Sequence, residues 1–192
     1  MVAPGVRVIA GIARGRRLKV PSGDLVRPTK DRVKAAIFSA LESRGLLIDA
    51  VVVDLYAGSG ALAIEAISRG AARATLVERH GPALDAIATN LEALDFARHC
   101  DVRAMDVATF VRAANASADL VFCDPPYGVT NRELAGLLGD LVRLVPGGTI
   151  VIERPTRPHA DDEPEMSVPS DWRESWRRVF GDTLVVFWTS CT

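Results

Sequence analysis

The alternation of short apolar segments with helical segments between residues 51 and 152 most constrains the fold of this 192-residue chain. The apolar segments do not alternate with polar residues, which is typical of strands buried on both faces of a parallel sheet. The expected strands are Val51–Leu55, Ala74–Val77, Val102–Ala104, Leu120–Cys123 and Thr149–Ile152, and the expected helices are Ala61–Ser68, Pro82–Leu94 and Asn131–Leu144. This order predicts an α/β fold with a Rossmann-like, mostly parallel sheet.

Two further elements are expected before this sheet. Val6–Ala10 and Leu18–Val20 predict a small β-hairpin around a turn rich in Gly and Arg. Thr29 is suited to cap a helix over Lys30–Arg44, which has one apolar face and an opposite basic face. We therefore expect a basic N-terminal hairpin extension at residues 1–28 and the Rossmann-like domain at 29–192.

The C-terminal part of the chain predicts a loop and a second hairpin. The residues from Arg154 to Ser170 are rich in Pro and acidic side chains, which favours a loop whose role is open. Glu174–Phe180 and Thr183–Thr189 flank a Gly-Asp pair, which is typical of an antiparallel hairpin. The mostly parallel sheet is thus expected to end in an antiparallel pair.

Basic side chains are concentrated at the N-terminal end. Residues 1–44 hold ten Lys and Arg and three Asp and Glu, a balance of +7 in a chain whose net charge is −1. Such a segment suits contact with a polyanion such as RNA or DNA, although a solvated basic face is an equal alternative. The candidates for RNA contact are Arg7, Arg14, Arg16, Arg17, Lys19, Arg27, Lys30, Arg32 and Lys34.

The composition argues against several protein classes. The apolar runs are a few residues long, far below the ~20 residues of a membrane-spanning helix, so we expect a soluble, cytoplasmic protein without membrane contact. Three cysteines without a CxxC pair and three histidines predict neither a disulfide framework nor a metal site.

A Gly-rich turn follows the first strand and predicts a nucleotide-like ligand. The expected cofactor-binding residues in this turn are Asp54, Tyr56, Ala57, Gly58, Ser59 and Gly60. Glycines let the backbone approach a ligand closely, but they suit a dinucleotide and S-adenosylmethionine equally well.

Acidic residues at the strand ends favour S-adenosylmethionine. Asp54 suits the cationic methionine end of that cofactor and would repel a pyrophosphate, although it could instead cap the loop. Glu78 ends the second strand, where a carboxylate can accept hydrogen bonds from ribose hydroxyls. Asp106 follows the third strand and is expected either to bind adenine or to cap the helix over Val107–Ala113.

The sequence Asp124-Pro125-Pro126-Tyr127, directly after an apolar strand, carries the expected catalytic residues. Two prolines hold a rigid turn without backbone donors. The Asp124 carboxylate and the Pro125 carbonyl suit an amine with two hydrogens, and Tyr127 offers a flat face for a base. Accepting both hydrogens from an exocyclic base amine turns its lone pair toward a sulfonium methyl, so positioning and electrostatics would do most of the catalysis. Cys123 lies inside the strand and is interpreted as a core residue rather than a nucleophile.

The sequence resembles the RsmD family, bacterial methyltransferases that modify the exocyclic N2 of one guanine in small-subunit ribosomal RNA. The resemblance rests on motifs spread over nearly the whole chain: Arg7–Gly11 with Gly15–Leu18, Arg27–Thr29, Asp54–Gly60, Glu65–Ala71 and Asp124–Tyr127. It implies a cofactor, S-adenosylmethionine, held around Asp54, Gly58, Gly60, Glu78 and Asp106, and a guanine of 16S ribosomal RNA held by Asp124–Tyr127. A small-subunit particle is the expected partner, and a monomer is the expected state.

Three alternatives differ in class. A DNA adenine-N6 methyltransferase would use the same Asp-Pro-Pro-Tyr chemistry but normally needs a separate target-reading domain, for which the chain has little room. A non-catalytic RNA-binding assembly factor is disfavoured by the intact Asp124 and Tyr127. An NAD-dependent oxidoreductase is disfavoured because no catalytic Tyr-Lys or His-Asp pair can be assigned.

Overall fold

A computed structural model of the chain describes residues 6–21, 31–115, 117–126, 128–157 and 166–191. Its centre is a seven-stranded sheet with strand order β3-β2-β1-β4-β5-β7-β6. The strands are β1 Val51–Leu55, β2 Arg73–Glu78, β3 Cys100–Ala104, β4 Leu120–Cys123, β5 Thr149–Pro155, β6 Trp172–Phe180 and β7 Thr183–Ser190. The first five strands are parallel, and β7 pairs antiparallel with both β5 and β6. The predicted sheet, including its antiparallel C-terminal hairpin, is confirmed.

Five α-helices cover the two faces of this sheet in the described residues. They are α1 Asp31–Glu42, α2 Ala61–Ser68, α3 Gly81–Leu94, α4 Val107–Ala113 and α5 Asn131–Leu141. Successive strand residues alternate between two buried clusters: Leu120 and Phe122 belong to the cluster with α1, α2 and α3, whereas Val121 and Cys123 belong to the cluster with α4 and α5. Burial on both faces explains why the central strands carry no polar alternation.

Several predicted boundaries differ from the structure by one or two residues, and the ends of α5 and β5 differ by three. Helix α5 ends at Leu141 rather than Leu144, since Val142–Leu144 form a turn that leads into β5. Strand β5 continues to Pro155, beyond the predicted end at Ile152, because β7 pairs with it along its whole length. The predicted loop therefore begins after β5, and its residues 158–165 lie outside the described part of the chain.

The N-terminal hairpin is less regular than predicted. One antiparallel bridge joins Arg7 and Arg17, and Val8 exchanges backbone hydrogen bonds with residues 15 and 16 at 2.9 Å. The amides of Ile9 and Ala10 instead donate to the carboxylate of Glu65 in α2, at 2.7 and 2.9 Å. Two regular strands therefore do not form, because α2 takes the donors that a strand partner would use.

The hairpin packs into the core of the domain. Val6, Val8, Ala13 and Leu18 are buried in the same cluster as α1 and α2. At Gly11, which has a φ of 80°, a Cβ atom would lie 1.8 Å from the backbone oxygen of Ser68, so the turn approaches α2 more closely than any side chain allows. The hairpin is thus a cover of the α1–α2 face.

Candidate cofactor and methyl-transfer cleft

The strand order reverses between β1 and β4, which are neighbours in the sheet although β2 and β3 separate them in sequence. In open α/β sheets, ligands bind at such a switch point, beyond the carboxyl ends of the strands. An open cleft of about 980 Å³ lies there. Both predicted motifs line it: the loop after β1 with Tyr56–Ser59 and the turn after β4 with Asp124–Pro126.

The loop after β1 is shaped by backbone that side chains would obstruct. Gly58 and Gly60 have φ of 56° and 76°, and a Cβ at Gly60 would lie 2.8 Å from the Leu76 side chain. Tyr56 also has a positive φ, 59°, which is strained for a residue with a Cβ. Burial raises the pKa of its phenol, with Cys123 and Asp106 adding to the shift. The side chain of Tyr56 packs against the α4–α5 cluster, so the loop is anchored in the core.

Asp54 is the cap of this loop. Its carboxylate is 2% exposed and accepts a hydrogen bond from the Ala63 amide at 3.0 Å, in the first turn of α2. Burial raises its pKa well above the ordinary value, and the Ala63 hydrogen bond opposes that shift. The structure thus shows the capping contact, and Asp54 also lines the cleft.

Glu78 organises the loop from the end of β2. One carboxylate oxygen accepts the Gly58 amide at 2.9 Å, and the other accepts the amides of Arg79 and His80 at 2.8 Å each. A carboxylate has about four acceptor positions, so three backbone donors leave room for a ligand hydroxyl.

Asp106 is the N-cap of α4. It accepts the Thr109 amide at 3.2 Å and forms an ion pair with Arg79 at 3.3 Å. The helix cap named as an alternative is therefore present, and the half-exposed carboxylate remains on the cleft wall.

The turn after β4 is closed by a backbone hydrogen bond and leads into a capped helix. Asp124 and Pro125 line the cleft, and the Pro126 carbonyl accepts the Val129 amide at 3.0 Å. Thr130 and Glu133 then form a reciprocal capping box that starts α5. Tyr127, the fourth residue of the predicted motif, lies outside the described residues.

Cys123 belongs to the core, as predicted. Its side chain is 1% exposed, and burial together with Asp124 raises the pKa of its thiol. Both observations disfavour the thiolate that a nucleophile needs.

The predicted RNA-contacting cations do not form one patch. Arg7 pairs with Asp31 at the start of α1, Arg17 lies beside Arg7, and the Lys19 amide donates to Asn90, whose amide group also donates to the Ser59 carbonyl in the loop. Of these three residues, Lys19 is connected through Asn90 to the loop that lines the cleft, and Arg7 lies at the start of α1.

Two other cations lie at the opposite end of the helices. Arg16 donates to the Ala93 carbonyl at the C-terminal end of α3, and Arg14 follows the Ala13 amide that donates to Ser68. Ser68 ends α2, whose eight residues place it about 12 Å from the cofactor loop. Arg32 is exposed on α1, and Arg27 and Lys30 are among the residues that are not described.

The prediction for Lys34 is wrong. Its side chain is fully buried, its ammonium lies 3.3 Å from the Glu65 carboxylate, and it donates to the Arg7 carbonyl. Burial lowers its pKa and Glu65 opposes the shift. Because Arg69 also pairs with Glu65, at 2.8 Å, these three charges form a buried network that binds the hairpin to α2.

Sequence reasoning missed Arg154 and Asn90. Arg154 donates to the Val129 carbonyl at 2.9 Å and to the Asn131 side chain at 3.1 Å. A signal for Arg154 was its position directly after the buried residues of β5, at the ligand-binding edge of the sheet. No comparable signal marks Asn90.

The comparisons with known proteins agree with this geometry. A family model described as "Conserved hypothetical protein 95" matches residues 6–189. "Ribosomal RNA small subunit methyltransferase D" of Escherichia coli (strain K12) is 33% identical over 178 residues, which are 92% of this chain and 85% of that protein. The solved structure of yhhF from Escherichia coli superposes with a TM-score of 0.81 and 33% identity, over 96% of this chain and 97% of that chain.

A more distant structure, SMU.776 complexed with SAH, shares the fold at 13% identity and a TM-score of 0.62, over 74% of this chain and 46% of that one. The family match spans nearly the whole chain and includes both the Gly-rich loop and the turn after β4. The chain therefore belongs to the family described as Conserved hypothetical protein 95, which is the RsmD family that its motifs resemble.

Proposed function

We propose that this protein transfers a methyl group from S-adenosylmethionine to the exocyclic N2 amine of a guanine in 16S ribosomal RNA, within a small ribosomal subunit or its precursor. One observation carries the proposal: the Gly-rich loop after β1 and the Asp-Pro-Pro turn after β4 open into the same cleft. The name of the Escherichia coli relative supports the ribosomal substrate.

The charge of the cleft fits a cationic cofactor. Among the described residues that line it, seven carry a carboxylate and three a guanidinium; the carboxylates are Asp54, Glu78, Asp106, Asp124, Glu133, Asp140 and Glu153. An excess of carboxylates attracts a sulfonium and an ammonium group and repels a pyrophosphate, which disfavours a dinucleotide.

The loop residues divide the binding of this cofactor. The backbone of Gly58 and Ser59 lines the cleft, whereas Gly60 faces the side chains of Leu76 and Ile87 and acts on the shape of the loop. Glu78 would accept a ribose hydroxyl, and Asp106 would receive the adenine amine. When bound, S-adenosylmethionine supplies an electrophilic methyl group on a positively charged sulfur.

The turn after β4 activates the amine that receives the methyl group. The Asp124 carboxylate and the Pro125 carbonyl accept its two hydrogens, which draws the nitrogen lone pair out of conjugation with the ring. Pro125 and Pro126 have no backbone N–H, so acceptors outnumber donors at this turn. After the nitrogen has gained the methyl group it loses one proton, to Asp124 or to water.

The test uses unmodified small-subunit ribosomal particles and S-adenosylmethionine labelled in its methyl group. Digestion of the RNA to nucleosides should yield labelled N2-methylguanosine. Parallel reactions with naked 16S RNA and with duplex DNA show which nucleic acid is the substrate. Label in N6-methyladenine of DNA, or no label in any nucleic acid, would overturn the proposal. We further propose that the protein acts as a monomer in the cytoplasm, which sedimentation and fractionation would test.

A further inference from the structure

The turn that carries Asp124 is closed by the hydrogen bond from the Val129 amide to the Pro126 carbonyl. A second contact to this turn comes from β5, outside the Asp-Pro-Pro-Tyr motif. Strand β4 ends at Cys123, which is in register with Ile152 of β5, so β5 extends three residues further along the turn. In this extension Glu153 is paired with Val185 of β7 and Arg154 with Leu184. The end of β5 is thus fixed by β7 while its other side borders the cleft.

Strand alternation decides which way the Arg154 side chain faces. Ile152 belongs to the cluster with α4 and α5, and Arg154, two residues on, lies on the same face. Its guanidinium accordingly reaches the start of α5, where it donates to the Val129 carbonyl at 2.9 Å and to Asn131 Oδ1 at 3.1 Å. Asn131 is 8% exposed, so this contact is largely shielded from water.

A guanidinium is chemically suited to this place. The turn contains two prolines, so its own backbone provides few donors, and the Val129 amide is already used on the Pro126 carbonyl. Arg has five donors in a planar fork and no acceptor, and it can bind two oxygens at once. It can therefore bind the Val129 carbonyl and the Asn131 side-chain oxygen together.

We propose that Arg154 is a positioning residue for methyl transfer: its guanidinium holds Val129 and Asn131, which follow the Asp124–Pro126 turn, against the end of β5. This inference rests on the proposed function. Arg154 acts through the turn, since the acceptors at Asp124 and Pro125 must stay within a fraction of an ångström of the amine hydrogens. A displacement of about 1 Å can reduce a rate about 100-fold.

The experiment compares Arg154→Met, which keeps the apolar stem, and Arg154→Lys, which keeps the charge, with Arg157→Met as the matched control. Arg157 is exposed, three residues further along the same segment. Single-turnover methyl transfer to ribosomal particles at saturating S-adenosylmethionine should fall ~10- to 100-fold in Arg154→Met and less in Arg154→Lys. The Kd for S-adenosylmethionine and the KM for particles should stay within about threefold, because only the turn moves.

A double variant separates positioning from general stability. If Arg154 works through the turn, adding Arg154→Met to Asp124→Asn should lower the rate by less than the product of the two single effects. A loss confined to Tm and cofactor affinity, a full product of effects, or an equal loss in Arg157→Met would overturn the inference. If Arg154→Met does not fold, the single-turnover rate of Arg154→Lys tests the inference: a reduced rate supports it and an unchanged rate contradicts it.

A readout without substrate separates this inference from the proposed function. Hydrogen exchange at the Val129 amide should be faster in Arg154→Met and unchanged in Arg157→Met. The reason is that Arg154 binds the Val129 carbonyl and so stabilises the turn that the Val129 amide closes. If the wild-type protein methylates no ribosomal RNA, the proposed function is wrong. Unchanged exchange at Val129 in Arg154→Met would separately contradict the positioning role of Arg154.

Discussion

At the scale of single residues, Asp124 is the group whose role is most sharply testable. As an oriented acceptor it needs an oxygen in place more than a negative charge, since the amine loses its proton readily after it is methylated. We expect Asp124→Asn to keep measurable transfer and Asp124→Ala to lose ~100-fold or more in kcat, with the Kd for S-adenosylmethionine little changed. Equal inactivity of both variants would indicate an obligatory base instead.

Tyr127, three residues after Asp124, is expected to stack on an extruded guanine. Because stacking needs the ring and not the hydroxyl, Tyr127→Phe should be tolerated, whereas Tyr127→Ala should lose roughly 1–3 kcal/mol of base binding. Titration of a short guanine-containing RNA measures this difference. If Tyr127→Phe bound the RNA as weakly as Tyr127→Ala, the hydroxyl rather than the ring would be the binding group.

Asp54 should make stability depend on pH. Its pKa is raised in the folded protein by burial, so the folded state holds its proton to higher pH than the unfolded state does. Stability is therefore lost as pH rises from the unfolded value of about 3.9 through the folded pKa. Urea unfolding from pH 4 to 9 should show a shallower decline for Asp54→Asn, which can still accept the Ala63 hydrogen bond.

The exposed Asp85 provides the control for that series, because Asp85→Asn should follow the wild-type curve. A wild-type decline that Asp54→Asn leaves intact would mean that other groups cause it.

At the scale of elements, the buried charges of Lys34, Glu65 and Arg69 explain how an irregular hairpin stays in place. Glu65 accepts from two hairpin amides and from both cations, so one carboxylate joins the hairpin, α1 and α2. Arg69 also lies 5.0 Å from the centre of the Phe38 ring, which connects the network to the core.

Glu65→Gln should lower the free energy of unfolding by about 3–5 kcal/mol, because it leaves buried cations without their counter-charge. Exchange of the Ile9 and Ala10 amides should rise with it, since the hairpin would detach first. Glu42→Gln is the control: Glu42 pairs with the same Arg69 but its side chain is 51% exposed, and a surface pair contributes about 0–1 kcal/mol. Similar losses in both variants would contradict the role of the buried network.

At the scale of the whole molecule, the hairpin packs into the core, so deleting it is not a clean test of RNA contact. Removal of residues 1–20 would expose the core that Val6, Val8 and Leu18 cover, so loss of activity would not report on RNA binding. Substitution of the exposed cations is the cleaner experiment.

We expect Arg17→Ser with Lys19→Ser to weaken binding of ribosomal RNA and to flatten its salt dependence. Lys19 is connected through Asn90 to the cofactor loop, and the exposed Arg17 lies two residues before it. Each lost single-strand phosphate contact lowers the slope of log affinity against log salt by roughly 0.7. Arg14→Ser, at the far end of α2, should change the slope less. A larger effect of Arg14 would place the RNA across the hairpin turn and away from the cleft.

The sequence predicted the strands and the positions of the Gly-rich loop and the Asp124 turn because each depends on local chemistry, whereas the strand order that creates the switch point came from the structure. An apolar run without alternation has to be buried on both faces, and a Gly-rich or Pro-Pro turn has its backbone restricted by its own residues. The Gly-rich loop and the Asp124 turn therefore lie where the sequence placed them.

Only the tertiary structure decided which charges meet. Lys34 looked like part of a basic helix face but is buried against Glu65, 31 positions later, and Arg154 looked like the start of a loop but contacts the turn 25 positions earlier. The sequence shows that such side chains carry charge, whereas the order and register of the strands determine their partners. Helix periodicity and composition contain no information on those distances, because a salt bridge between remote residues forms only after the sheet has brought its elements together.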